Sequence, residues 1–330
     1  MFGPFVHNID PIIFSIAGVH VWWYGMSFTL GFLNAHIFVR RNRVRLGLSL
    51  AQVYDLTLLM ASGILLGGRL LVVFNNEWSF YREYPELIAA IWVGGFATHG
   101  LILGGAVAVI IFCKIYRVPF RPLLDVLAIS AAIILAFGRV GNFIDGQIYG
   151  SLTDVPWGVK FPNVEGFRHP VVLYDGIKNI LLVPFLLWLR RWNLPPGRIA
   201  AIFVIAYAGL RIPIDIFRDY PITMWGVPTG QMLNILMLAT GVIALVINAR
   251  RFRSYKPDTH PEQIEYGEPK ISVRKFGFAA LVLLPLMIPS DATRDVPFTY
   301  GKRHAGLEHS WIYPPIQDDL MRTAETPRGR

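Results

Sequence analysis

Residues 138–150 read Gly138-Arg139-Val140-Gly141-Asn142-Phe143-Ile144-Asp145-Gly146-Gln147-Ile148-Tyr149-Gly150, directly after an apolar run at 123–137 whose one charge is Asp125. The run predicts a membrane-spanning helix that ends where the quoted stretch begins. Thirteen residues then carry four glycines, one arginine, one carboxylate and two amides. Glycine permits turns and close backbone approach, and a guanidinium offers a planar fork of donors matched to phosphate. A lone arginine beyond an apolar helix can also snorkel to the interface with no further role. The glycines and amides around Arg139 favour a polar, backbone-lined pocket at the membrane surface, with a cation aimed at an anionic head group.

Composition agrees. Only 16% of the 330 residues are charged, against about 25% in soluble domains, because long runs carry almost no charge. An all-α polytopic membrane protein is expected. The net charge of +9 does not call for nucleic acid, since cations gather in four short acid-free clusters: Arg40 to Arg45, Lys114 to Arg121, Arg190 to Arg198, and Arg250 to Lys256. Basic loops alternating with neutral or acidic ones mark cytoplasmic loops. Cys113 is the one cysteine, so no intrachain disulfide can form; within an apolar run it reads as a small buried hydrophobe.

Seven transmembrane helices are predicted, near 19–39, 53–74, 100–113, 123–137, 172–189, 199–216 and 232–249, with the N-terminus outside. The first eleven residues hold Asp10 and no Lys or Arg, hence no signal-peptide n-region. Val21–Gly25 reads as an interfacial aromatic belt. Gly67 and Gly68 permit close helix approach, and Arg69 beside them either snorkels or faces a site. Glu77, Glu83 and Glu86 make the next loop acidic and external. His99 opens the third span; such a histidine is often structural, but a neutral imidazole there also suits a general base. A small extended external head is expected before Pro170.

In the sixth span Tyr207, Arg211, Asp215 and Arg218 follow at spacings of four, four and three, which places them on one helical face. Pro213 interrupts that helix. Intramembrane charges face a cavity or one another, so the face is either a structural ladder or part of a site. Residues 1–253 form the membrane domain and 254–330 an extension. Its apolar segment 276–289 would reach about 21 Å as a helix, short of the roughly 30 Å hydrocarbon core, and reads as interfacial or re-entrant.

The quoted stretch resembles the signature of the prolipoprotein diacylglyceryl transferases, Gly-Arg-x-Gly-Asn-Phe-x-Asn-x-Glu-x-x-Gly. Gly138, Arg139, Gly141, Asn142, Phe143 and Gly150 match; Asp145 stands for the family's Asn and Gln147 for its Glu. In an extended turn the exchanged pair would point to one side and present a similar donor and acceptor set. Further matches are Trp23-Tyr24-Gly25, His99-Gly100 after Gly94-Gly95, Arg168-His169-Pro170, the Tyr207-to-Arg218 series with Asp215 for Glu, and Gly230-Gln231. After Pro170 the family continues Ser-Gln-Leu-Tyr-Glu, whereas this chain reads Val171-Val172-Leu173-Tyr174-Asp175, which argues against a site role for that turn.

The resemblance covers residues 1–253. It implies transfer of the diacylglyceryl group of phosphatidylglycerol to the lipobox cysteine of preprolipoproteins, in a bacterial inner membrane with the site towards the outer leaflet. The partners implied are phosphatidylglycerol, preprolipoprotein signal peptides and the bilayer, with no nucleic acid, no cofactor and no metal. His99, Arg139, Arg211 and Tyr24 become catalytic candidates. Arg139, Asn142, Asp145, Gln147, Gly150, Tyr207, Asp215, Arg218 and Arg69 become substrate-binding candidates. A non-catalytic relative that binds phospholipid or precursor is the alternative. A transporter fits less well, because the polar residues gather at the outer ends and no internal repeat appears.

The charge alternation yields a topology test. In a chain whose Cys113 is replaced by Ala, Val44→Cys should react with a membrane-impermeant thiol reagent only after lysis. Labelling in intact cells would reverse the orientation.

Overall fold

The computed structural model describes residues 5–146, 148–162, 164–219, 223–224, 227–253, 272–289 and 303–304, apart from the side chains at 75, 76, 93, 98, 99, 223, 224 and 229. The described residues are mostly helical. In chain order come β1 (Phe5–Val6), β2 (Ile12–Ile16), β3 (Val19–Trp22), α1 (Trp23–Arg41), α2 (Leu50–Leu71), α3 (Trp78–Glu83), α4 (Thr98–Tyr116) and α5 (Phe120–Ile144). β4 (Val159–Lys160), α6 (Val171–Arg190), α7 (Arg198–Asp215), β5 (Thr223–Met224), β6 (Val227–Pro228), α8 (Thr229–Arg251) and α9 (Ser272–Leu283) follow. Among the described residues, four stretches are long and apolar enough to cross a membrane: Leu50–Phe74, Phe120–Ile144, Val171–Arg190 and Gly230–Arg251. Their outward faces carry exposed Leu66, Leu181, Leu236 and Ile243. Apolar surface this extensive suits lipid rather than water.

The all-α expectation needs amending, because among the described residues three two-stranded sheets decorate the helices. The apolar run from Val19 does not begin as a helix: Val19–Trp22 pairs antiparallel with Ile12–Ile16, and α1 starts only at Trp23. Alternation explains the strand, since His20 and Trp22 are buried while Val19 and Val21 are less so. In the head, β1 pairs parallel with β4.

The helices pack α4 on α2, α1 on α5, α5 on α6, α6 on α7 and α7 on α8. Their basic ends meet. Val39, Leu48, Leu56, Phe112 and Leu123 form one core there, and Arg190 bonds Asn42 between α6 and the end of α1. Ser49 and Gln52 make a reciprocal capping box at the start of α2. Asp125 of α5 accepts from the Gly197 and Ala200 amides at 2.7 and 2.8 Å, capping α7 from a neighbouring helix.

α2 and α4 meet along Gly63, Gly67, Gly100 and Gly104, where a β-carbon on Gly104 would collide with the Gly63 carbonyl and one on Gly100 with that of Gly67. Small residues let membrane helices touch backbone to backbone. Gly104→Val should therefore destabilise the chain by about 3 kcal/mol through overpacking, read as a lowered thermal midpoint in detergent. Val substitution at Gly138, where an added β-carbon meets nothing within 4 Å, should have little effect on that midpoint.

Candidate active site

The stretch 138–150 is not the loop its glycines predict. α5 runs on to Ile144, so Gly138, Arg139, Gly141 and Asn142 lie on its last two turns. Glycines that mark turns in water serve here as points of helix contact. A β-carbon on Gly141 would sit 2.9 Å from the Tyr24 Cα, so its absence seats the start of α1 against α5. Gly176 does the same for α6, since a β-carbon there would meet the Arg139 Cβ at 3.3 Å.

That contact brings Arg139 to Asp175, the residue the sequence discounts. The Arg139 Nε donates to Asp175 Oδ2 at 2.5 Å, Lys178 Nζ reaches Asp175 Oδ1 at 2.7 Å, and Arg211 Nη1 bonds Asp175 Oδ2 as well. Asp175 is fully buried, and Lys178 and Arg211 are only 6% and 7% exposed. Three cations from three helices thus share one carboxylate. Arg211 Nε also pairs with Asp215 at 2.9 Å, and Asn234 of α8 donates to the other Asp215 oxygen at 2.7 Å. Arg139 Nη1 donates to Asn142 Oδ1 at 3.2 Å. Lys178 Nζ lies 3.7 Å from the centroid of the Tyr207 ring, a cation–π contact. With a rise of 1.5 Å per residue, the cluster sits roughly 6–8 Å in from the ends of α5, α6 and α7, opposite their basic ends.

An apolar cavity of about 760 Å³ opens beside it between α6 and α7, walled by Leu181, Leu182, Phe185, Leu210 and Ile214, with Lys178 on its wall.

The structure gathers Arg139, Asn142, Tyr207, Arg211 and Asp215, and gives Arg69, Tyr24, Arg218 and Asp145 other surroundings. Arg69 is buried in α2 and donates to the carbonyls of Leu87, Ile88, Ala90 and Gly94, closing the loop before α4. Tyr24 stands at the α1–α5 contact with its ring edge-on to Phe28. Arg218 lies beyond the end of α7, not on its face, and its backbone bridges Gly150. Asp145 is fully buried at the C-cap of α5 with right-handed helical dihedrals, so the extended-turn geometry expected for it does not hold. Gln147 and the side chain of His99 lie outside the described residues. Arg168 braces the head, donating to Asp219 and the Gly150 carbonyl. Among the described residues no group of three His, Cys, Asp or Glu is placed to hold a metal.

Sequence reasoning missed Lys178. Its signal was a lone cation inside an apolar helix, three residues past a carboxylate.

A multi-pass helical membrane protein with a buried ion network beside an apolar cavity is the class these observations define. The prolipoprotein diacylglyceryl transferase profile matches residues 11–247. Over 253 residues the chain is 35% identical to the phosphatidylglycerol–prolipoprotein diacylglyceryl transferase of Geobacter sulfurreducens, covering 74% of this chain and 97% of that protein. The enzymes of the same name from Rhizobium meliloti and Mannheimia succiniciproducens are 37% and 33% identical, over 72% and 76% of this chain and 90% and 96% of their own. The chain belongs to the prolipoprotein diacylglyceryl transferase family.

The shared carboxylate makes a stability prediction. Asp175→Asn leaves three buried cations undercompensated and should cost about 3–5 kcal/mol, read by thermal unfolding in detergent. Adding Lys178→Met should recover part of that loss. A double variant as unstable as the sum of the singles would mean that the two groups do not interact.

Proposed function

We propose that the chain is a transferase of lipoprotein biosynthesis, moving the diacylglyceryl group of phosphatidylglycerol to the lipobox cysteine of a preprolipoprotein. The cysteine sulfur attacks the glyceryl carbon that carries the phosphate. That carbon–oxygen bond breaks, its electron pair leaves on the phosphate oxygen, and the thiol proton goes to a base. The products are a thioether and glycerol phosphate.

The observation that carries this reading is the charge balance of the cluster. Arg139, Lys178 and Arg211 supply three positive charges against the two carboxylates of Asp175 and Asp215, an excess of one. A phosphodiester enters with one negative charge and leaves as a phosphomonoester with up to two. Cations already fixed in place stabilise that developing charge without reorganising. The apolar cavity against Lys178 suits an acyl chain whose head group rests at the cluster.

His99, at the start of α4, is the base in this reading, because a free thiol with a pKa of about 8.5 is mostly protonated at neutral pH. Asn142 orients the Arg139 fork, and Tyr24, packed against Gly141 of the same helix, orients the head group or the thiol. All seven long helices cross the bacterial inner membrane, with the N-terminus outside and the cluster towards the outer leaflet. The support for that orientation is the gathering of the basic ends opposite the cluster.

The deciding experiment is complementation of a strain depleted of its own diacylglyceryl transferase, with lipidated precursor followed directly. Failure of an expressed, inserted chain to restore lipidation would leave a non-catalytic phospholipid-binding relative. In the active chain, Arg139→Ala and Arg211→Ala should each lower transfer by about a hundredfold or more while the protein still accumulates. Lys at either position should rescue poorly, because a point charge lacks the fork. Parental rates in either Ala variant would remove that residue from the phosphate clamp.

A further inference from the structure

The matched family profile ends at residue 247, yet residues beyond it touch both helices that meet at Gly141. We infer that the C-terminal extension positions the site, with Arg303 as a positioning residue that caps the helix carrying Arg139 and Asn142. The inference rests on the transferase reading above.

The argument starts from the end of α5. The last carbonyls of a helix lack partners within it and must find them elsewhere. The Gly141 carbonyl accepts from the Asp145 amide, and that of Phe143 accepts from the Gly146 amide and from His7 Nε2 at 2.6 Å. Burial holds the His7 imidazole below its usual pKa, so the neutral ring donates this bond. Two further carbonyls go to the extension: Arg303 Nη1 donates to Ile144 O at 3.3 Å and Nη2 to Asp145 O at 2.7 Å. The Arg303 Nη1 also reaches Ile9 O at 3.2 Å, tying the N-terminal segment to the same helix end. A cation here further complements the negative end of the helix dipole.

The neighbouring His304 fastens the arginine in place, with Nδ1 at 2.9 Å from Asp10 Oδ2. A second contact lies on the other helix. The Pro285 carbonyl occupies the space a β-carbon on Gly25 would fill, directly after Tyr24, and Thr29 donates to Val282 O at 2.6 Å. The extension therefore bears on α1 one residue from Tyr24 and on α5 at its final carbonyls. Both contacts lie outside the ion cluster: one fixes where α5 ends, and the other where α1 begins against it.

The test uses the full-length chain in membranes. With wild type active, Arg303→Met should lower kcat about tenfold or more while KM for phosphatidylglycerol stays within about twofold, because a small displacement of positioned groups costs rate rather than head-group binding. Arg303→Lys, which keeps the charge and one capping donor, should recover most of the loss. Where Arg303→Met fails to accumulate, Arg303→Gln replaces it, with a smaller fall in kcat expected. Hydrogen exchange followed by mass spectrometry gives a reading independent of activity: the amides of Asp145 and Gly146 should exchange about fivefold faster or more once the cap is lost.

Unchanged kcat, or a rise in KM alone, overturns the positioning role. Unchanged exchange overturns the cap itself. If wild type is inactive but exchange rises as expected, the transferase reading fails and the cap stands.

Discussion

Everything near the site depends on one buried carboxylate. Asp175 accepts from Arg139, Lys178 and Arg211, and no two of the helices α5, α6 and α7 could shift past each other without breaking that arrangement. Networks of this kind contribute little net stability, because desolvating the charges offsets most of their attraction. Well-packed apolar side chains would hold three membrane helices together at least as well. Charges persist in such places mainly where function uses them. On the transferase reading proposed above, the ion network answers the charge of a ligand rather than the stability of the fold.

The fold was legible wherever apolar length and charge alternation carried the message. The seven predicted apolar segments coincide in order with α1, α2, α4, α5, α6, α7 and α8, and the four basic clusters flank helix ends that meet. Legibility failed where one pattern hid another. Val19–Trp22 alternates as a strand should, but it runs without a polar break into α1 and is absorbed into that helix's apolar stretch. Gly138 and Gly141 read as turn residues by their behaviour in water. In a membrane helix a glycine can instead be a contact point, as Gly141 is against Tyr24, and α5 continues through both.

The site was legible as a set of residues and not as an arrangement. Arg139, Asn142, Tyr207, Arg211 and Asp215 were recognisable by type and spacing, and the structure places them together. Asp175 was discounted because its neighbours Val171 and Val172 are apolar; both are buried at the start of α6, where apolar residues belong. Lys178 was overlooked although a single cation in an apolar helix is costly enough to ask for a reason. Arg303 had no local signal at all, since its partners lie at Ile9, Ile144 and Asp145, far away in the chain.

The departures from the family pattern gain a physical reading from the packing. At 175 and 215 the chain has Asp where the family carries Glu, so each carboxylate reaches about 1.5 Å less, the length of one carbon–carbon bond. A shorter acceptor can hold the same cations only if its helix stands closer to theirs. Gly176, the residue after Asp175, permits that approach, with the Arg139 Cβ 3.3 Å from where its own β-carbon would lie. Arg211 meets Asp215 four residues along the same helix, a distance that a short side chain spans without help from a neighbour. Lys178, three residues from Asp175, likewise pairs within its own helix. Shortened carboxylates and close backbones are thus two halves of one arrangement. Lengthening Asp175 while Gly176 still holds the helices close would disturb the cluster rather than return it to the family's form.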